Sequence, residues 1–132
     1  ELDDPSAHVI LAETLSKEPL GPMYLQGDSQ WGDVVDWVTF ATFQAEEYGI
    51  TSENIDEFRG SDDPSIARFM GEEGDLGSFI GMPADFAANA IAAVGNYAEI
   101  YERNVTPLGI AREGSLNDLW TRGGLIYAPA WR

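Results

Sequence analysis

Cysteine is absent and histidine occurs once, as His8. Without cysteine there is no disulfide framework, no thiolate zinc site and no cysteine nucleophile. A histidine-based triad would have to use His8. No serine of the chain stands in a nucleophile-elbow context, so His8 is not read as catalytic. Bases are scarce: seven Lys and Arg stand against 23 Asp and Glu, for a formal charge of -16. A phosphate backbone needs a clustered basic surface, so a nucleic-acid partner is excluded, and so is an anionic membrane surface. No apolar run approaches the ~20 residues of a membrane helix. The missing cysteines suit a cytosol or a periplasm equally. The chain opens on Glu1, with neither an initiator methionine nor a signal-peptide pattern, which points to a processed mature end or to a cut inside a longer gene product.

What is present is enough for one domain. The 132 residues are 44% hydrophobic and 11% aromatic, so a sizeable core is available. Charge is unevenly placed. Residues 1–75 hold 18 acids and three bases (Lys17, Arg59, Arg68), while residues 76–132 hold five acids and four bases. A cation-binding face and a solvated acidic surface both fit this asymmetry. The acids are spread rather than spaced as ligands, which favours the solvated surface. Asp3-Asp4, Asp62-Asp63 and Glu72-Glu73-Asp75 lack calcium-loop spacing, and Gly27 to Asp33 lacks oxygen ligands where such a loop needs them. No metal and no cofactor is expected.

Periodicity sets the elements. His8 to Ala12 reads as a short strand, Glu18 to Pro22 as a connector, and Met23 to Gln26 as a second strand ended by Gly27. Asp28 is placed to cap a helix over 30–48, whose apolar positions Trp31, Val34, Val35, Val38, Ala41 and Ala45 share one face. Trp37, Phe40 and Phe43 widen that stripe until only Asp33, Asp36, Glu46 and Glu47 are expected to face water, so the helix should lie deep. Thr51 is expected to cap a short helix over 52–58, and Asp63-Pro64 to open another running to about Met70. Gly71, Gly74, Gly77 and Gly81 predict a loop anchored by Leu76, Phe79 and Ile80. A second long helix is predicted from Pro83 to about Asn104, with Ile91 in an alanine-rich core stripe. Ser115, with Asp118 in capping-box position, predicts a last short helix, followed by an extended tail over 125–132.

Few residues offer chemistry. Gly123-Gly124 lacks the lysine of a phosphate loop and reads as a helix end. Asn104-Val105-Thr106 reads as a loop rather than a glycosylated site. Asp33 with Asp36, and Glu99 with Glu102, are carboxylate pairs one turn apart with no pocket signal. Trp120, Tyr127 and Trp131 could stack on a ligand, but aromatics near a chain end more often anchor the tail onto the core, and that is the reading taken. Catalytic residues: none; metal: none; the ligand-binding residues are not identified.

Several segments, in order, resemble a known family. They are Ser16 to Pro22 with Gly27-Asp28 and Trp31; Gln44 to Thr51; Gly95 to Asn104; Pro107 to Ile110; and Leu119 to Pro129. From about His8 onward the chain resembles the C-terminal part of the general (polar) amino-acid-binding proteins of bacterial ABC importers, extracellular solute-binding protein family 3. The resemblance implies a two-lobed α/β type II periplasmic-binding-protein fold that closes on one amino acid. It implies that this chain is the late part of lobe 1, with residues 8–15 as a hinge crossing and 22–26 as a strand. Most groups that hold the ligand would lie outside this chain, so no ligand contact is carried over. Where the family strand often has an arginine before Gly-Asp, this chain has Leu25 and Gln26.

The expected fold is therefore mostly α with two or three short strands, a fragment of that α/β fold forming a single compact unit. Residues 1–28 would be the hinge-like and strand segment and 29–132 the helical part with a C-terminal extension. The expected function is solute binding for uptake of an amino acid, periplasmic, with an inner-membrane permease as partner of the full-length relative, and not an enzyme. As a fragment it is expected to be incompetent for ligand alone and to form a homodimer. The alternative is an independent oligomeric helical interaction module derived from that scaffold.

Overall fold

The computed structural model describes residues 3–9, 11, 13, 15–16 and 19–131. Helix α1 (Ser29–Tyr48) starts where the Asp28 carboxylate accepts the Trp31 N–H at 3.0 Å. It stops at Gly49, whose φ of +71° turns the chain left-handed while its N–H reaches back to Ala45 and Glu46. Helices α2 (Pro64–Phe69) and α3 (Leu76–Phe79) follow, then α4 (Phe86–Val94) and α5 (Tyr97–Asn104). Asp63 caps α2 through the Ser65 N–H, with proline at the first position as expected.

The core lies where α1 crosses α4 and α5. Ala41, Ala45 and Ile50 meet Ala87 and Ile91, all fully buried; the small residues let the backbones approach. Phe69, Met70, Ile80 and Phe86 close one end, and Trp131 seals it from the far end of the chain. The Trp131 ring stands edge-on to Trp37 at 5.2 Å and stacks on Phe86 at 5.8 Å. The chain terminus is thus part of the core.

The structure departs from the sequence expectations in several places, among them the helix α3 at Leu76–Phe79, inside the segment expected to be a loop. The second long helix is two helices. Gly95 turns at φ +82° and Asn96 opens α5 with a full capping box: its side chain accepts the Glu99 N–H, and Glu99 accepts the Asn96 N–H. Met23 to Gln26 is not a strand, because no described segment lies beside it to complete a ladder; Tyr24 instead lays its ring against Gly32 of α1. The strand expected at His8 to Ala12 shows no regular structure at His8, Val9 and Leu11, while Ile10 and Ala12 lie outside the described residues. The segment after Thr51 is a 3-10 turn over Ile55–Phe58, and the segment after Ser115 is a turn followed by a 3-10 turn at Trp120–Arg122. Of the loop anchors, Ile80 is buried and Leu76 half-buried, but Phe79 is 82% exposed. Among the described residues the nearest thing to a sheet is one isolated parallel bridge, Leu119 to Ile126. Among the described residues the chain is mostly helical, as expected, with almost no strand, fewer than the two or three short strands expected.

Candidate functional site

The C-terminal half of the chain is held to α1 by charge. Glu46, expected to face water, has a side chain only 5% exposed. Arg112 clasps it with both terminal nitrogens, at 2.6 and 2.8 Å, and Arg122 adds a third bond at 2.5 Å. Arg122 also bonds Asp118, and this bond foremost holds the Asp118 carboxyl below the usual range and keeps the guanidinium charged. The Arg112 guanidinium lies 4.9 Å from the centre of the Tyr97 ring and 5.8 Å from that of Tyr101. Burial pushes the Tyr97 phenol up. The Tyr101 hydroxyl is buried with no hydrogen-bond partner. Glu46, Arg112, Arg122 and Asp118 satisfy one another, so they form a strut rather than a vacant site.

A second polar tie joins the end of α1 to α5. Glu99 accepts the Ser52 hydroxyl at 2.6 Å and the Ser52 N–H, besides the Asn96 N–H of the capping box. Burial alone would raise the Glu99 pKa; these bonds outweigh it and hold the carboxyl below its ordinary value. Asn96 meanwhile donates to the Ile50 carbonyl at 2.8 Å.

One groove of about 750 Å³ opens between the C-terminal half of α1, α2 and the tail. Trp120 and Tyr127, both more than half exposed, form one wall, with Trp131 at its base. The opposite side presents Gln44, Glu47 and Tyr48 from α1 with Ser65 and Arg68 from α2. The Trp120 indole N–H donates to Glu47 at 3.1 Å, which fixes the mouth. Burial, with help from the Asp63 and Glu47 charges, pushes the Tyr48 phenol up, so it stays a donor. Of the three aromatics singled out in the sequence, Trp131 is an anchor, while Trp120 and Tyr127 line the groove. Gln44, Glu47 and Arg68 carried no sequence signal of their own.

The other sequence candidates fall elsewhere. His8 is exposed and bonds the Asp4 carbonyl at 2.8 Å. Asp33 and Asp36 lie exposed on α1, and Glu102 is exposed while Glu99 is engaged, so neither carboxylate pair forms a site. Gly123 ends a 3-10 turn at φ +89°, as a helix end and not a phosphate loop. Asn104 donates back to the Ile100 carbonyl. Among the described residues no three His, Asp or Glu side chains gather as a metal site would need, and no helix is long and apolar enough to cross a membrane. Met23, Leu25, Leu20, Leu15, Leu11 and Val9 form an exposed apolar run before α1.

No protein-family model matches the chain. It is 52% identical to the general L-amino acid-binding periplasmic protein AapJ of Rhizobium johnstonii, with 99% of this chain and 39% of that protein aligned. It is 52% identical to the glutamate/glutamine/aspartate/asparagine-binding protein BztA of Rhodobacter capsulatus, over 94% of this chain and 37% of that protein. The putative amino-acid ABC transporter-binding protein YhdW of Escherichia coli is 44% identical over the whole of this chain and 39% of its own length. A solved structure of an ABC transporter periplasmic binding protein from Brucella ovis, with glutathione bound, superposes with a TM-score of 0.90 at 47% identity, over 99% of this chain and 42% of that one. The chain spans about two-fifths of the length of the relatives it matches.

Proposed function

Starting from this kinship with the amino-acid-binding periplasmic proteins of ABC transporters, we propose that the chain is a portion of the solute-binding component of an amino-acid importer. It would act in the periplasm, hand its amino acid to an inner-membrane permease, and catalyse no reaction. The carrying observation is the 52% identity to AapJ over 99% of the chain, supported by a TM-score of 0.90 to a periplasmic binding protein. In this reading residues 1–28 are the hinge-like and first-lobe strand segment and 29–132 the late part of lobe 1 with its C-terminal extension. An amino-acid zwitterion needs a carboxylate clamp and an amine acceptor in a cleft that excludes water. Three-fifths of each relative's length lies outside the match, and in this reading most of that cleft is built from there. Calorimetry with a panel of amino acids should show micromolar binding for the full-length protein and nothing tighter than millimolar for these 132 residues. A micromolar signal from the short chain, or none from the long one, would overturn the reading.

A second reading has its own observation. Leu20 and Met23 are 93% and 96% exposed in a run of apolar side chains that a monomer would not leave in water. We expect the isolated chain to cover this run with a second copy, as a homodimer burying more than ~1,500 Å². Light scattering at micromolar concentration decides it: a clean monomer with a sharp melt would favour an independent module that needs no cover.

A further inference from the structure

We propose that Tyr24 is a latch: its ring fills a notch at Gly32 and straps residues 19–26 onto the first turns of α1, and undoing this one contact frees the strap while the core stays folded. Gly32 is the fourth residue of α1. Inside a helix, glycine is disfavoured against alanine, so its presence there needs a reason. It is also buried, although Trp31 and Asp33 on either side are exposed. What covers it is Tyr24. A Cβ built on Gly32 would stand 2.6 Å from Cε2 and Cζ of the ring and 2.9 Å from its hydroxyl oxygen, well inside van der Waals contact. The ring occupies the space that any side chain at position 32 would need.

The strap has few other holds. Residues 19–24 form no helix or strand, and they share no hydrogen bond with any described residue outside the segment. The nearest tie is the turn at its end, where the Asp28 N–H donates to the Leu25 carbonyl at 3.3 Å. Exposure alternates along it: Met23 is 96% exposed, Tyr24 44% and Leu25 80%. An extended backbone sends successive side chains to opposite sides, so seating Tyr24 inward is what aims Met23 and Leu25 outward. Tyr24 does not reach the cluster of Ala41, Ala45, Ile91 and Trp131 that holds the helices together. A segment held by one ring on one helix opens at a far lower cost than the core. The assignment stands on this contact and does not rest on the transport reading.

The test uses the 132-residue chain, NMR and thermal melts. In the wild type the Gly32 α-protons should show nuclear Overhauser contacts to the Tyr24 ring. Gly32→Ala and Tyr24→Ala should each move the amide signals of residues 20–26 to random-coil positions and leave those of Ala41, Ala87 and Ile91 in place. The two changes should also couple, because they meet in one contact. In Tyr24→Ala, with no ring to collide with, Gly32→Ala should raise Tm by about 2–4 °C as an ordinary helix substitution. With Tyr24 present that rise should be absent or reversed. Equal Tm changes in the two backgrounds would overturn the proposal, and so would the lack of Tyr24–Gly32 contacts in the wild type. Loss of the core signals in either variant would overturn it too, since the segment would then be part of the core rather than a strap on it.

Discussion

Removing the Glu46 charge leaves two guanidinium groups around a carboxamide that can satisfy only part of their needs. Arg112, with 11% of its side chain exposed, reaches little water, whereas Arg122 is half exposed and reaches more. A fully buried pair broken on one side costs about 3–5 kcal/mol; with one partner half solvated, Glu46→Gln should cost about 2–3 kcal/mol in denaturant melts. Tyr101→Phe makes the opposite point. The hydroxyl it removes is buried and unbonded, so the change should cost less than ~0.5 kcal/mol or stabilise the chain. Glu99 predicts a pH effect. Its folded pKa lies below its ordinary value, so its contribution is full above about pH 5 and is lost as pH falls through the ordinary range and below. The gap in melting temperature between wild type and Glu99→Gln should therefore be widest near pH 7 and should narrow toward pH 3. Neither the Glu46 clasp nor the bond of Glu99 to Ser52 could be read along the chain. Glu46 sits on a helix face that looks polar, and its arginines come from 66 and 76 residues away.

At the scale of elements, the break between α4 and α5 is the instructive error. Apolar spacing runs on through Val94, Tyr97 and Tyr101, and periodicity alone joins the two helices. The signal that separates them is local: glycine, then Asn-x-x-Glu, a capping-box pattern at Asn96 and Glu99. That pattern was legible, but it lay inside a stripe that masked it. The consequence is testable at Gly95. At φ +82° a side chain is strained, and an added Cβ would meet the Glu99 carboxylate at 2.8 Å, disturbing the cap itself. Gly95→Ala should cost about 2 kcal/mol, measured by thermal melts, where an alanine in an unbroken helix would have helped. The missing strand at Met23 to Gln26 has a different cause. Strand propensity describes a fit to neighbours, and no described neighbour is present. By contrast α1, α2 and their caps follow from residues adjacent in sequence, so the chain itself announces them.

For the whole molecule, kinship was readable because ordered motifs run from Ser16 to Pro129, and relatives at 44–52% identity bear it out. The groove was not readable, because its walls come from residues 44–48, 65–68 and 120–131 and exist only after folding. Charge acts at this scale too, and here two effects compete as salt is added. Screening relieves the mutual repulsion among the fifteen net negative charges of residues 1–75, most of them on exposed side chains. It also weakens the ion pairs that hold the chain together. The pairs differ in depth. Arg59 with Asp56 and Arg68 with Glu73 are exposed and contribute little at any salt. The Glu46 clasp is sheltered from ions, and sheltered pairs are screened far less than surface charges. Repulsion is therefore what salt removes. With a Debye length falling from ~30 Å at 0.01 M to ~8 Å at 0.15 M, sodium chloride should stabilise the fold by on the order of 1 kcal/mol, a rise of about 4 °C in Tm. Glu46→Gln should keep that rise, since the surface charge that drives it is almost unchanged. A Tm that falls with salt in the wild type but not in Glu46→Gln would mean that the clasp, rather than the acidic surface, governs the electrostatics of the fold.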